Sequence, residues 1–110
     1  MRLPYLQNAQ VTESKVVDYL LSEDHSEGKA AFFGAFGFTL EHWQILRDAL
    51  LAHAASHEII REVVASPYGT KYVIEGTLPT PVGRNPAVRS VWIVDAGTEI
   101  PRLVTAYALH

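Results

Sequence analysis

The chain has 110 residues, 48% of them hydrophobic and 19% charged, and no cysteine. This is enough for one domain, residues 1–110, to bury about two-thirds of its unfolded surface, and too apolar for a disordered segment. Without cysteine there is no disulfide framework or thiolate metal site, which fits a reducing, cytoplasmic setting. A formal charge of -3 and a pI of about 5.9 exclude a strong, nonspecific nucleic-acid binder. No apolar run reaches the roughly 18 residues needed to span a bilayer, so no membrane association is expected. Met1-Arg2-Leu3-Pro4-Tyr5 lacks the apolar core of a signal peptide.

In chain order, Thr12 or Ser14 caps a short helix that places Val16, Val17, Leu20 and Leu21 on one face. After a polar loop over 22–28, Lys29 to Phe36 reads as a second helix rich in Ala and Phe, ended by Gly37 in the left-handed conformation. Thr39 caps a third helix with Leu40, Trp43, Leu46, Leu50 and Ala54 as its apolar stripe and Glu41, Gln44 and Asp48 outside. From Glu58 onward β-branched and aromatic residues take over. Glu58 to Ala65 and Thr70 to Leu78 flank the turn Ser66-Pro67-Tyr68-Gly69. A longer turn, Pro79 to Pro86, leads to Ala87 to Asp95, and Ala96-Gly97-Thr98-Glu99 leads to Arg102 to Tyr107. Helices followed by strands predict an α+β fold: about three N-terminal helices packed on a four-stranded antiparallel β-meander.

Charge is spread unevenly. Residues 1–57 carry four basic and seven acidic side chains, whereas 58–110 carry five of each. Arg61, Lys71, Arg84, Arg89 and Arg102 therefore form a candidate basic patch on the C-terminal half. His25 lies beside Glu23, Asp24 and Glu27, whose charge would raise its pKa and suit it to proton transfer near neutral pH. Taken alone, such a residue is more often an exposed loop histidine with no role. Lys29, in the first turn of the second helix, could reach a phosphate, or be an ordinary solvated lysine.

On a regular final strand the period of two puts Leu103, Thr105 and Tyr107 on one face and Arg102, Val104 and Ala106 on the other. The Thr105 and Tyr107 hydroxyls could hold a phosphate or a ribose, with Arg89 or Lys71 supplying charge to a pentacovalent transition state. The same residues also suit plain strand propensity. Among His42, His53 and His57 only the last two can share a helix face. The residues between them, Ala54, Ala55 and Ser56, include no Glu, so no metal site is predicted.

Several segments carry a family resemblance: Tyr19-Leu20-Leu21, His25, Gly28-Lys29-Ala30, Phe33, Gly37-Phe38, Tyr68-Gly69, Tyr72, Trp92-Ile93-Val94 and Pro101 through Tyr107. Together they resemble the bacterial domain of unknown function 6883, over nearly the whole chain. That family is similar to the barnase, EndoU, colicin and RelE-like ribonuclease toxins. The resemblance implies a metal-independent ribonuclease of toxin type, needing no cofactor, that cleaves RNA through attack of the 2′-hydroxyl. It implies His25 as acid or base, Lys29 as a phosphate contact, Arg102 as a charge stabiliser, and Thr105 and Tyr107 as hydroxyls lining the cleft. A small neutralising partner protein is implied as well. The alternative is a noncatalytic protein-binding module acting with a small partner, a reading that the acidic pI favours.

Overall fold

In the computed structural model, which describes residues 1–24, 27–65 and 67–109, helices precede strands along the chain. Thr12 is extended and its hydroxyl accepts the Lys15 N–H at 3.2 Å, so a helix opens at the expected cap. It starts as one α turn, Glu13–Lys15, and widens into a π turn, Val16–Leu20; the two are called α1 here. Val16 and Leu20 are fully buried, while Tyr19 stands partly buried on the flank.

The second helix, α2 (Lys29–Ala35), ends at Phe36, and Gly37 follows at φ 93° as the sequence requires. The third, α3 (Trp43–Ser56), begins later than expected. The Thr39 hydroxyl accepts the His42 N–H at 3.3 Å, but this closes a turn ahead of the helix rather than capping it. Leu40 accordingly drops out of the apolar stripe and is 54% exposed, whereas Leu46, Leu50 and Ala54 are fully buried.

Strands β1 (Ile59–Ala65), β2 (Gly69–Thr77), β3 (Ala87–Asp95) and β4 (Pro101–Ala108) pair in chain order, each antiparallel to the next. The architecture is the α+β meander that the order of elements predicts. Tyr72 and Ile74, Val88, Ser90 and Trp92, and Leu103 and Ala106 form the inner face, which is buried with Leu20, Phe33, Leu46 and Leu50. The N-terminal segment shields the free edge of β4: the Gln10 N–H donates to the Pro101 carbonyl at 2.8 Å, and its own carbonyl accepts the Leu103 N–H at 3.1 Å.

The regular alternation expected on β4 is broken. Val91 faces Thr105 but the next residue, Trp92, faces Leu103, so Val104 is an extra residue in a β-bulge. Leu103 and Ala106 consequently both point inward. Arg102, Thr105 and Tyr107, opposite Ile93, Val91 and Arg89, share the outer face. Leu103 is thus not a companion of Thr105 and Tyr107, and Arg102 is not turned away from them.

One polar group is set deep in the core. His53 of α3 is fully buried, with Nε2 at 3.1 Å from both the Gly76 and Val88 carbonyls and Nδ1 at 3.1 Å from the Ser90 hydroxyl. These distances fit one tautomer: Nε2–H is shared by the two carbonyls, and Nδ1 accepts from Ser90, whose oxygen accepts the Trp92 indole N–H at 2.9 Å. The His57 Nε2 donates to the Thr77 carbonyl at 2.9 Å, and its ring lies 5.1 Å from that of His53. The two rings meet, but not on one helix face, because His57 is the extended residue just past the end of α3; the bonded ring nitrogens serve the sheet backbone and Ser90.

Burial holds the His53 imidazole below its ordinary value of 6.5 and His57 nearby adds to this, against the opposing pull of the two carbonyls. Below pH 6.5 the unfolded chain binds a proton at this residue that the folded chain refuses. Stability is therefore full above that value and declines as the pH falls from it toward the folded-state value. Urea unfolding at pH 7.5 and 5.5 should show a lower midpoint at the acid pH. His53→Ala, which leaves Ser90 and two carbonyls short of partners beside a cavity, should cost about 3 kcal/mol at pH 7.5 and flatten that dependence.

Candidate functional site

The outer face of the sheet is the surface the helices leave open, and its corner near β4 gathers polar side chains from five elements. From α1, the Tyr19 hydroxyl lies 3.0 Å from the Thr105 hydroxyl on β4. From the start of α2, the Lys29 ammonium stands 5.4 Å from the Tyr19 ring centroid and 6.0 Å from that of Tyr107. From β3, Arg89 lies opposite Tyr107; its guanidinium is 5.7 Å from the ring, and its Nη1 donates to the Tyr107 hydroxyl at 3.3 Å. Glu75 of β2, opposite Arg89 in the register, accepts its Nε–H at 2.6 Å and also pairs with Nη2.

Local sequence explains the placement. Gly28, at φ 91°, turns the chain into α2 so that Lys29 is its first residue. The π turn carries Tyr19 to the β4 edge, where Lys15 also approaches its ring at 5.0 Å. The bulge preserves the i, i+2 relation of Thr105 and Tyr107 while turning both outward. Beside Tyr107 opens a depression of about 500 Å³ lined by Glu27, Gly28, Lys29, Phe32, Tyr107 and Ala108.

The corner sets two cations, Lys29 and Arg89, beside two carboxylates, Glu27 and Glu75. The Tyr107 hydroxyl and then Glu75 raise the Arg89 pKa above its already high value, so the guanidinium is a permanent cation. Because Tyr107 accepts from Arg89, its own O–H proton is left to donate elsewhere. Lys29 adds a second cation, an ammonium, at the rim, close enough for cation–π attraction to both rings, each worth about 0.5–1 kcal/mol where solvent reaches.

Of the candidate residues, Lys29, Arg89, Thr105 and Tyr107 meet at this corner. His25 lies outside the described residues. Arg102 shares the outer face but sits farther along β4, held by Asp95 through bonds of 2.7 and 3.2 Å that lower the Asp95 pKa. Lys71, opposite Ile93, is two strands from β4 and does not join the corner, so it cannot substitute for Arg89 there. Arg84 lies off the sheet, with its guanidinium 5.4 Å from the Phe36 ring. Tyr19 and Glu75 are participants that sequence reasoning passed over. Glu75 was discoverable only from the β2–β3 register, and nothing in the Tyr19 segment marks its hydroxyl as facing a strand. Among the described residues no group of three or more His, Asp or Glu side chains could hold a metal ion. No helix among them is long and apolar enough to cross a membrane.

The fold, an antiparallel meander with helices on one face, is shared with a toxin–immunity assembly. A chain in the solved structure of a contact-dependent growth inhibition toxin–immunity protein complex from Klebsiella pneumoniae 342 superposes with a TM-score of 0.73. It covers 96% of this chain and 97% of that one at 15% sequence identity, a likeness of fold. Among curated proteins, none matches the sequence. The chain belongs to the family described as Domain of unknown function (DUF6883), whose pattern matches residues 2–110.

If the Tyr19 and Thr105 hydroxyls are coupled as their 3.0 Å separation requires, Tyr19→Phe and Thr105→Val should not be additive in stability. A double-mutant cycle by urea unfolding is expected to give a coupling of about 0.5–1.5 kcal/mol. A value indistinguishable from zero would mean that the pair is not formed in solution.

Proposed function

We propose that the chain is a ribonuclease of toxin type that cleaves RNA by attack of a ribose 2′-hydroxyl on the adjacent phosphodiester. One observation carries the reading: Lys29 and Tyr107 line one depression, Arg89 is bonded to the Tyr107 hydroxyl, and Thr105 stands on the same face of β4 two residues away. Two cations and two hydroxyls are what a phosphoryl centre needs as charge builds on its nonbridging oxygens.

In this mechanism a base removes the 2′-hydroxyl proton and the oxygen attacks phosphorus. The 5′-oxygen of the next nucleotide leaves with a proton from an acid, and a 2′,3′-cyclic phosphate remains. Arg89 and Lys29 neutralise the pentacovalent intermediate. Tyr107, whose oxygen already accepts from Arg89, donates its proton to a nonbridging or leaving oxygen. Thr105, oriented by Tyr19, holds the phosphate or the ribose. His25, three residues before the Gly28 that lines the depression, is assigned proton transfer on the strength of the family resemblance.

The second reading, a noncatalytic module that binds a small partner protein, draws on the fact that the structural relative was solved as a two-protein complex. Growth arrest when this chain is expressed without a partner favours the toxin, and harmless high-level expression favours the module.

Purified protein incubated with total RNA in EDTA should release fragments ending in cyclic phosphate. Tyr107→Phe, Lys29→Ala and His25→Ala, purified identically, are each expected to slow cleavage more than tenfold with unfolding midpoints near that of the parent. Unchanged cleavage in Tyr107→Phe and Lys29→Ala would show that the activity is not at this corner.

A further inference from the structure

A second cationic feature lies on the same sheet face, away from the corner. Arg61 of β1 is opposite Val73, and Lys71 of β2 is opposite Val63, so the two are diagonal neighbours on the outer face, about 7–8 Å apart. Both are exposed, and neither makes an ion pair among the described residues, in contrast to Arg89 with Glu75 and Arg102 with Asp95. The face as a whole carries Arg61, Lys71, Arg89 and Arg102 against Glu75 and Asp95, a positive surface on a chain whose total charge is -3. The two unpaired cations are the part of that charge not already spent inside the protein.

Their position relative to the corner follows from the register. Lys71 is two strands across from Tyr107 and four residues along, and Arg61 is three strands across and two residues along. With strands about 4.8 Å apart and a rise of about 3.3 Å per residue, both lie about 16 Å from Tyr107. At 3.4 Å per stacked nucleotide, that gap is roughly five nucleotides, fewer if the strand is stretched. The surface between carries the Arg89–Glu75 ion pair beside Tyr107 and then Val73, Val91 and Ile93, without aromatic rings or side-chain amides to read bases.

Building on the proposed ribonuclease reading, we infer that Arg61 and Lys71 form a distal phosphate subsite. A single-stranded RNA crosses the outer sheet face from the Lys29–Tyr107 corner to this pair. The subsite grips the backbone and ignores base identity, because its donors are charges and the only other charges on the way, Arg89 and Glu75, are paired with each other. It explains how an acidic chain can select RNA: the affinity is spread along one strand rather than concentrated in a basic domain. A duplex end would not lie flat across a twisted sheet while also presenting a ribose to Tyr107, so the substrate class is a single-stranded segment or loop of at least about five nucleotides.

The test is binding of 2′-O-methyl oligoribonucleotides, which cannot be cleaved, by the full chain and by an Arg61→Ala/Lys71→Ala double variant. The parent should bind a hexamer at least tenfold more tightly than a dinucleotide, regardless of sequence, and in the double variant that ratio should fall to near one. The slope of log affinity against log salt for the hexamer should become shallower by about 1.4, the value for two phosphate contacts on a single strand. A ratio that survives in the double variant overturns the inference, as does a parent that binds neither length. Equally tight, Arg61- and Lys71-dependent binding of polyglutamate would also overturn it and assign the face to an acidic protein. Length-dependent hexamer binding without cleavage of natural RNA would retain the subsite and remove the nuclease reading.

Discussion

The buried imidazole of His53 ties the helical layer to the sheet. It is the point where α3 touches the backbone of two neighbouring strands, β2 through Gly76 and β3 through Val88, and it locks to Trp92 through Ser90. An apolar side chain in its place would fill the volume but could slide. The imidazole has one orientation that satisfies all its partners, and each partner left unmet would cost about 1–3 kcal/mol. Such a network adds little net stability and much specificity, since a wrong register between α3 and the sheet leaves several buried groups unpaired. It also dictates Gly76: a Cβ there would collide with the His57 ring, the companion that meets His53 edge to face.

With the inner face fixed in this way, the geometry of the outer face depends on one inserted residue. A regular β4 would bring either Leu103 or Ala106 to the core, not both, because the side-chain period in a strand is two. Val104 absorbs the mismatch. Both small and large apolar residues reach the helices, and the polar set Arg102, Thr105 and Tyr107 turns outward together. Bulges concentrate on edge strands and beside functional sites, where they re-aim side chains. This one lies on an edge strand whose free side is already capped by Gln10.

The fold was legible in the sequence because its signals are local and agree with one another. Thr12 as a cap, Gly37 as a helix stop, the stripe through Leu46, Leu50 and Ala54, and the turns around Pro67-Tyr68-Gly69 and Gly97 each act within a few residues. The start of α3 is not legible at Thr39, which does hydrogen-bond forward but one turn too early, and a cap signal does not say whether the turn it closes continues. The site was legible only in part. Thr105 and Tyr107 keep their i, i+2 relation whatever the bulge does, so their pairing survived. The facing of Arg102 did not, because a bulge depends on the whole register and leaves no mark on the residues within it. Tyr19 and Glu75 join through contacts separated by 86 and 14 residues, which no local pattern encodes.

The charge pattern at the corner bears on how an acidic chain would handle a polyanion. Glu75 neutralises most of the Arg89 charge at long range, yet the Arg89–Tyr107 hydrogen bond keeps one edge of the guanidinium aimed at the Tyr107 oxygen. At distances beyond a Debye length, about 8 Å at physiological salt, the pair exerts almost no field, so the corner does not attract nucleic acid indiscriminately. Within hydrogen-bond range the Arg89 and Tyr107 donors are held in place, so in the proposed reaction they would act on charge that develops there rather than on charge that drifts by. On the proposed ribonuclease reading, a site of this kind would discriminate between a bound ground state and a transition state better than a cluster of free lysines. It would do so because the carboxylate that weakens its reach, Glu75, also holds the Arg89 donors still.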